Sequence, residues 1–193
     1  MNILIDNLPT SVVIDDIEYE INSDFRVGIL FSIAMDDNNL SDEEKIETAI
    51  RLYYKVVPHD IEKAIEQILL FYNYNKESNN TGSSSSSNPT KVFDYEVDAN
   101  YIYSAFLTQY HIDLQDINYL HWFKFKALFD SLDDNLMLCK IIKFRSIDIS
   151  KIKNKEEKEY YKKMKDTYAI KEDVSKEELE ELQELGKYLL GGE

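Results

Sequence analysis

The chain has 193 residues, with 22 basic and 37 acidic side chains for a formal net charge of −15; 44% of the residues are apolar and 12% aromatic. That apolar fraction excludes disorder throughout, and the length allows one domain or two small ones. Five glycines argue against folds built on glycine-rich phosphate loops or many tight β-turns, and the negative charge argues against non-specific binding to nucleic acid or anionic membranes.

Residues 1–6 carry no basic n-region and are interrupted by Asp6, so no signal peptide is expected. No run approaches 18 apolar residues. Val12 to Ile14, the pair Asp15-Asp16 and Ile17 to Ile21 read as two short strands around a turn, with Ile17, Tyr19 and Ile21 alternating inward against Glu18 and Glu20. Asp24 is placed to cap a helix through Phe25, Ile29, Leu30 and Ile33 that ends near Asp36 to Asn39. Ser41 and Glu44 form a capping box for a helix carrying Ile46, Ile50, Tyr53 and Tyr54, which Pro58 stops. After Pro58, Ile61, Ala64, Ile65, Ile68, Leu69 and Tyr72 recur at helical spacing, the pattern of an amphipathic core helix.

Residues 75–91, NKESNNTGSSSSSNPTK, cannot bury apolar surface and read as a flexible loop or linker. They separate an acidic N-terminal hairpin-plus-helices region, 1–74, from a second helical region, 92–193, able to pack with it as one domain. In the second region Asp94 is placed to cap a helix lined by Val97, Tyr101, Ile102, Ala105 and Phe106. Trp122, Phe125, Phe129 and Leu132 form the next apolar face. Leu138, Ile141 and Ile142 form a third after the Asp133-Asp134 turn. Short connections between them suggest a bundle. The stretch Lys151 to Lys165 is helical by propensity but polar on nearly all sides. Ser175 and Glu178 form a second capping box before Leu179, Leu182, Leu185 and Leu189, and Gly191-Gly192 reads as a helix stop. The expected class is mainly α: one or more helical bundles with a short N-terminal β-hairpin.

The residues single out no catalytic, cofactor-binding or metal-binding site. His59, His111 and His121 are scattered and match no metal-ligand spacing. His59 and His121 are expected to be structural. Cys139 is the sole cysteine, so it forms no internal disulfide; it lies beside Leu136, Met137 and Leu138 and reads as a buried, inert thiol in a reducing compartment. Asp15-Asp16, Asp36-Asp37 and Asp133-Asp134 fall at turns or caps, where Asp bonds locally to the backbone. A calcium loop from Asp36 fails because Leu40 occupies a ligand position. From Lys140 to Lys171, 11 basic residues face 5 acidic ones. A solvated helix with i, i+4 ion pairs is the first reading of this strip, a protein partner the second, including the acidic front half of another copy, and nucleic acid the third. Trp122, Tyr101 and Phe125 read as core rather than contact, and the partner-binding residues stay unassigned.

The segment Phe93 to Leu132 resembles the bacteriophage gene-product-fifteen family. The likeness rests on Asp98-Ala99 with Ile102-Tyr103 and Phe106, on Tyr110-His111-Ile112-Asp113-Leu114, and on Leu120-His121-Trp122 with Lys124-Phe125 and Ala127-Leu128. The opening hairpin with Asp24-Phe25-Arg26, the Ile141 to Ile147 region and the lysine-rich helix are similar too. Phe123 stands where a second Trp is common and His111 where Gly is common. The resemblance implies a phage or prophage tail morphogenesis protein of the tail assembly chaperone type, binding the tape-measure protein or other tail proteins; with the lack of catalytic motifs, signal peptide and long apolar runs, the expectation is a non-enzymatic protein of the bacterial host cytoplasm that uses no membrane or cofactor. The alternative the resemblance implies is a structural tail or connector subunit retained in the virion.

Overall fold

Asp15 and Asp16 reverse the chain with left-handed backbone at both positions (φ 49° and 62°), the primed geometry whose twist suits a two-residue hairpin and which Asp tolerates better than most residues. The computed structural model describes residues 2–73 and 91–170. The turn joins β1 (Ser11–Ile14) to β2 (Ile17–Glu20), antiparallel with Val12 opposite Tyr19 and Ile14 opposite Ile17. Seven α-helices follow among the described residues: α1 (Phe25–Asp36), α2 (Asp42–Tyr53), α3 (Ile61–Tyr72), α4 (Ala99–Tyr110), α5 (Trp122–Asp130), α6 (Met137–Ser146) and α7 (Lys155–Thr167), with a 3-10 turn at Ile149–Lys151 before the last. This is the mainly α fold with an N-terminal hairpin that the pattern predicts.

The chain divides into two compact units, the first ending at Ser146 and the second beginning at Ile147. Of the expected linker, residues 75–91, all but Lys91 lie outside the described residues, as do the expected Ser175 capping box and the Leu179 to Leu189 helix.

Several inward faces differ from those periodicity predicts. Ile21 is buried, but Ile17, beside the turn, is half exposed, and its cross-strand neighbour Ile14 takes the buried place. On α1 the buried residues are Phe25, Val27, Gly28, Phe31 and Ala34, while Leu30 faces solvent. The face turns because α1 meets a neighbour through its small residues. A Cβ at Gly28 would lie 2.6 Å from Cδ2 of the Trp122 indole, a closeness that apolar periodicity does not register. Asp94 does cap, accepting from the Glu96 and Val97 N–H groups, but it caps a turn. α4 begins only at Ala99, leaving Val97 exposed, because the carboxylate of Asp98 is committed to the core.

That commitment is an ion pair. Arg145 Nη1 and Nη2 donate to Asp98 Oδ2 and Oδ1 at 2.6 and 3.0 Å, and Nη1 also reaches the Val92 carbonyl; both side chains are buried. The Asp94 N–H donates to the same carboxylate. The bidentate geometry and extra bonds satisfy both charges, so removing one partner would strand the other at about 3–5 kcal/mol.

The core of the first unit is largely aromatic and draws on both sides of residues 74–90, among them Phe31, Tyr53, Phe71, Phe106, Phe123 and Phe125. Phe25 and Phe106 each stack on Phe125 at 5.0 Å between centroids. Trp122 stacks on Tyr72 at 5.1 Å, and Phe71 on Phe123 at 4.8 Å. Trp122 Nε1 donates to the Tyr72 carbonyl at 2.9 Å, which satisfies its one polar atom. Each such ring pair adds about 0.5–1.5 kcal/mol beyond area burial.

The close approach of α1 to the indole gives a test whose sign is informative. On an unhindered helix Gly→Ala stabilises by about 1 kcal/mol. Gly28→Ala instead overpacks against Trp122 and is expected to destabilise by about 1–3 kcal/mol in urea unfolding; an increase in stability would contradict the described packing.

Candidate partner-binding surfaces

His121 supplies no chemistry to solvent. It is buried at the N-terminus of α5, where Nδ1 accepts from the Phe123 N–H at 3.0 Å, so Nε2 carries the proton and donates to the Pro9 carbonyl at 2.9 Å. Burial, with Lys124 nearby, holds its pKa below the ordinary 6.5 despite the Pro9 bond. The side chain acts as a helix cap.

Opposite it, Asp24 caps α1 by accepting from the Arg26 N–H, and its other oxygen accepts from the Leu120 N–H. The two capping segments exchange backbone bonds: Phe25 N–H to Leu120 and Trp122 N–H to Ser23, each at 2.8 Å. Arg26 then spans to the Leu114 and Ile117 carbonyls at 3.1 and 2.7 Å. These long-range roles of Asp24, Arg26, Asp98 and Arg145 leave no mark in local sequence, because the partners stand 47 to 96 residues apart.

The other singled-out residues are equally local in role. His59 is exposed before α3; its Nε2 pairs with Asp15 at 3.2 Å and its Nδ1 meets the Tyr19 hydroxyl at 3.3 Å. His111 ends α4 in the left-handed region (φ 55°), a backbone conformation that glycine adopts without steric cost. Cys139 is partly buried, its Sγ 3.8 Å from the Leu132 carbonyl, and burial pushes its pKa up, away from thiolate. Asp37 and Asp133 accept from the backbone two residues on, as turn residues do. Trp122 and Phe125 are fully buried and Tyr101 packs partly against the core. Among the described residues no group of three or more His, Cys, Asp or Glu gathers as metal ligands, and no helix is long and apolar enough to cross a membrane.

The surfaces left for recognition are a groove and several helix faces. The groove, about 440 Å³, is lined by Tyr72, Trp122, Lys126, Asp130 and Ser131. Lys126 Nζ lies 5.9 Å from the Trp122 ring centroid and 3.7 Å from Asp130 Oδ1. An aromatic wall beside one cation and one carboxylate suits a partner's side chain better than bond chemistry, since the two charges pair with each other. Elsewhere Leu69 and Leu70 on α3, Leu107 on α4 and Met137 on α6 are exposed.

The basic stretch is divided between the two units. Arg145 is withdrawn into the core, Lys140 and Lys143 lie on α6 in the first unit, and Lys171 lies outside the described residues. The remaining lysines belong to the second unit, where α7 buries no residue.

A protein-family model described as Bacteriophage Gp15 protein matches residues 4–170. The chain belongs to that family, as the Phe93 to Leu132 resemblance implies, and so to phage proteins of structure and morphogenesis. No curated protein and no solved structure matches the chain.

The buried cap gives a pH test. A base whose folded pKa lies below its unfolded value lets the unfolded chain take up the proton first, so stability present above pH 6.5 is lost as the pH falls toward the lowered folded value. Urea midpoints followed from pH 7.5 to pH 5 should fall for the native chain and fall less steeply for His121→Gln, which should itself be about 1 kcal/mol less stable at pH 7.5. An equal slope in the variant would assign the acid sensitivity to other groups.

Proposed function

We propose that this Gp15-family protein is a tail assembly chaperone, made in the bacterial host cytoplasm, that binds the tape-measure protein through its helical surfaces. The observation that carries the reading is the family match across residues 4–170. Two physical features support it. In the family-like segment Asp94, Asp98, His121, Trp122, Phe123 and Phe125 are engaged in capping, ion pairing and core packing, which leaves recognition to outer faces. Those faces offer exposed apolar side chains on α3, α4 and α6, able to take the apolar side of a partner helix, on a chain whose net charge of −15 would keep a complex with an aggregation-prone partner soluble.

In this reading the protein covers the apolar stripe of a long helical partner until the tail tube grows around it, then leaves. Co-expression with the tape-measure protein of the same phage, followed by affinity capture, should yield a complex and more soluble partner. Mass spectrometry of purified particles should find the protein absent. No complex and no gain in solubility would contradict the reading, and a fixed copy number in the particle would replace it with a structural tail or connector subunit.

A further inference from the structure

Lys155, Lys158, Lys162 and Lys165 recur at i, i+3, i+7 and i+10 along α7 and so share one side of it. Beside them runs a half-buried stripe of Tyr161, Met164 and Tyr168. Lys165 is tethered, its Nζ donating to the Ile147 carbonyl at 3.0 Å. Lys155, Lys158 and Lys162 are exposed and make no ion pair among the described residues, although Lys155 stands four residues before Glu159 and Lys162 four before Asp166. The i, i+4 pairs that would make α7 a self-satisfied solvated helix are therefore not closed. In the first unit Arg26, Arg51, Lys55, Lys63, Lys91, Lys126 and Arg145 each pair with a carboxylate, and in the second Lys151 pairs with Asp148, so the three lysines of α7 stand apart from most of the described basic residues.

α3 carries the complementary surface. Glu62, Glu66, Leu69 and Leu70 recur at i, i+4, i+7 and i+8 on its solvent side. Leu69 is 45% and Leu70 38% exposed, and neither glutamate has an ion pair among the described residues. Each helix opens with two charges on this side, Glu62 and Glu66 on α3 and Lys155 and Lys158 on α7; Leu69 and Leu70 follow on α3, and Tyr161, with Lys162 beside it, on α7. With a rise of about 1.5 Å per residue, two helices side by side in parallel with Glu62 level with Lys155 bring Glu66 within one residue of Lys158, and Leu69 and Leu70 level with Lys162 and Lys163, one and two residues past Tyr161.

We propose that copies of this chain associate head to tail, α7 of one copy lying parallel on the outer face of α3 of the next. Charge favours another copy over nucleic acid as the occupant. Residues 1–146 hold 24 acidic against 12 basic side chains, whereas 147–170 hold seven lysines against five acidic ones, so each copy presents both halves of the contact while its larger unit repels phosphate. The contact is heterologous, because the surface given differs from the surface received, and any assembly that does not close into a ring leaves a free α3 face at one end and a free α7 at the other.

Sedimentation velocity on the full chain tests this over a concentration series at low and high ionic strength. The mass should rise with concentration at low salt and fall back at high salt. The double variants Lys155→Glu with Lys158→Glu, and Glu62→Lys with Glu66→Lys, alter exposed positions only, and circular dichroism checks their folds. Each alone should associate roughly tenfold or more weakly; a mixture of the two should associate again, because every α3–α7 contact between unlike copies then pairs opposite charges. The milder Lys158→Gln and Glu66→Gln should weaken association in the same direction. A monomer at all concentrations, association unchanged in either double variant, or a mixture that stays monomeric would overturn the proposal, as would DNA retention by a chain that never self-associates.

Discussion

Two helix N-termini meet head on in this protein, and the first unit is organised by that meeting. Asp24 caps α1 and His121 caps α5, and their segments also trade two backbone hydrogen bonds, Phe25 to Leu120 and Trp122 to Ser23. Each helix start leaves several N–H groups without intrahelical partners. Here a single junction satisfies the first two N–H groups of each helix, and one oxygen of Asp24 serves the other segment of the junction as well. Because the two segments stand nearly a hundred residues apart, the hairpin side and the α5 side cannot complete their own helix ends separately.

The aromatic core follows from this geometry. Once α5 starts at Trp122, the indole is pressed against Gly28, bonded to the Tyr72 carbonyl and stacked on the Tyr72 ring, while Phe123 is set on Phe71 and Phe125 on Phe25 and Phe106. Asp98 and Arg145 fasten α4 to α6 by the same logic of complete satisfaction. Asp98, Arg145, His121 and Trp122 are thereby engaged inside, and the described surface is made of helix faces distinguished by charge and apolar exposure.

Local signals in the sequence were strong where the physics is local. The Asp15-Asp16 turn, the Ser41–Glu44 capping box and the Asp24 cap all depend on atoms within four residues, and each forms. The burial of Trp122 and Phe125 was legible from aromatic spacing. What escaped is set by distant partners. The inward face of α1 turns on how closely Trp122 approaches Gly28. The late start of α4 turns on Arg145, 47 residues away. The withdrawal of Arg145 from the basic stretch turns on Asp98, 47 residues away, and the open lysines of α7 could not be foreseen, since i, i+4 spacing permits ion pairs without requiring them. The family motif reads clearly because it is made of core and capping residues; for the same reason it points to a fold rather than to a contact surface.

If the double-capped junction is the constraint on which the first unit depends, its amides open only when that unit unfolds. Native-state hydrogen exchange, resolved to the backbone N–H groups of Phe25, Trp122 and Phe123, measures this directly. The account predicts that all three exchange with an opening free energy equal to that of global unfolding and with the same denaturant dependence. Opening of Phe25 separately from Trp122 and Phe123, at a free energy well below the global value, would contradict it.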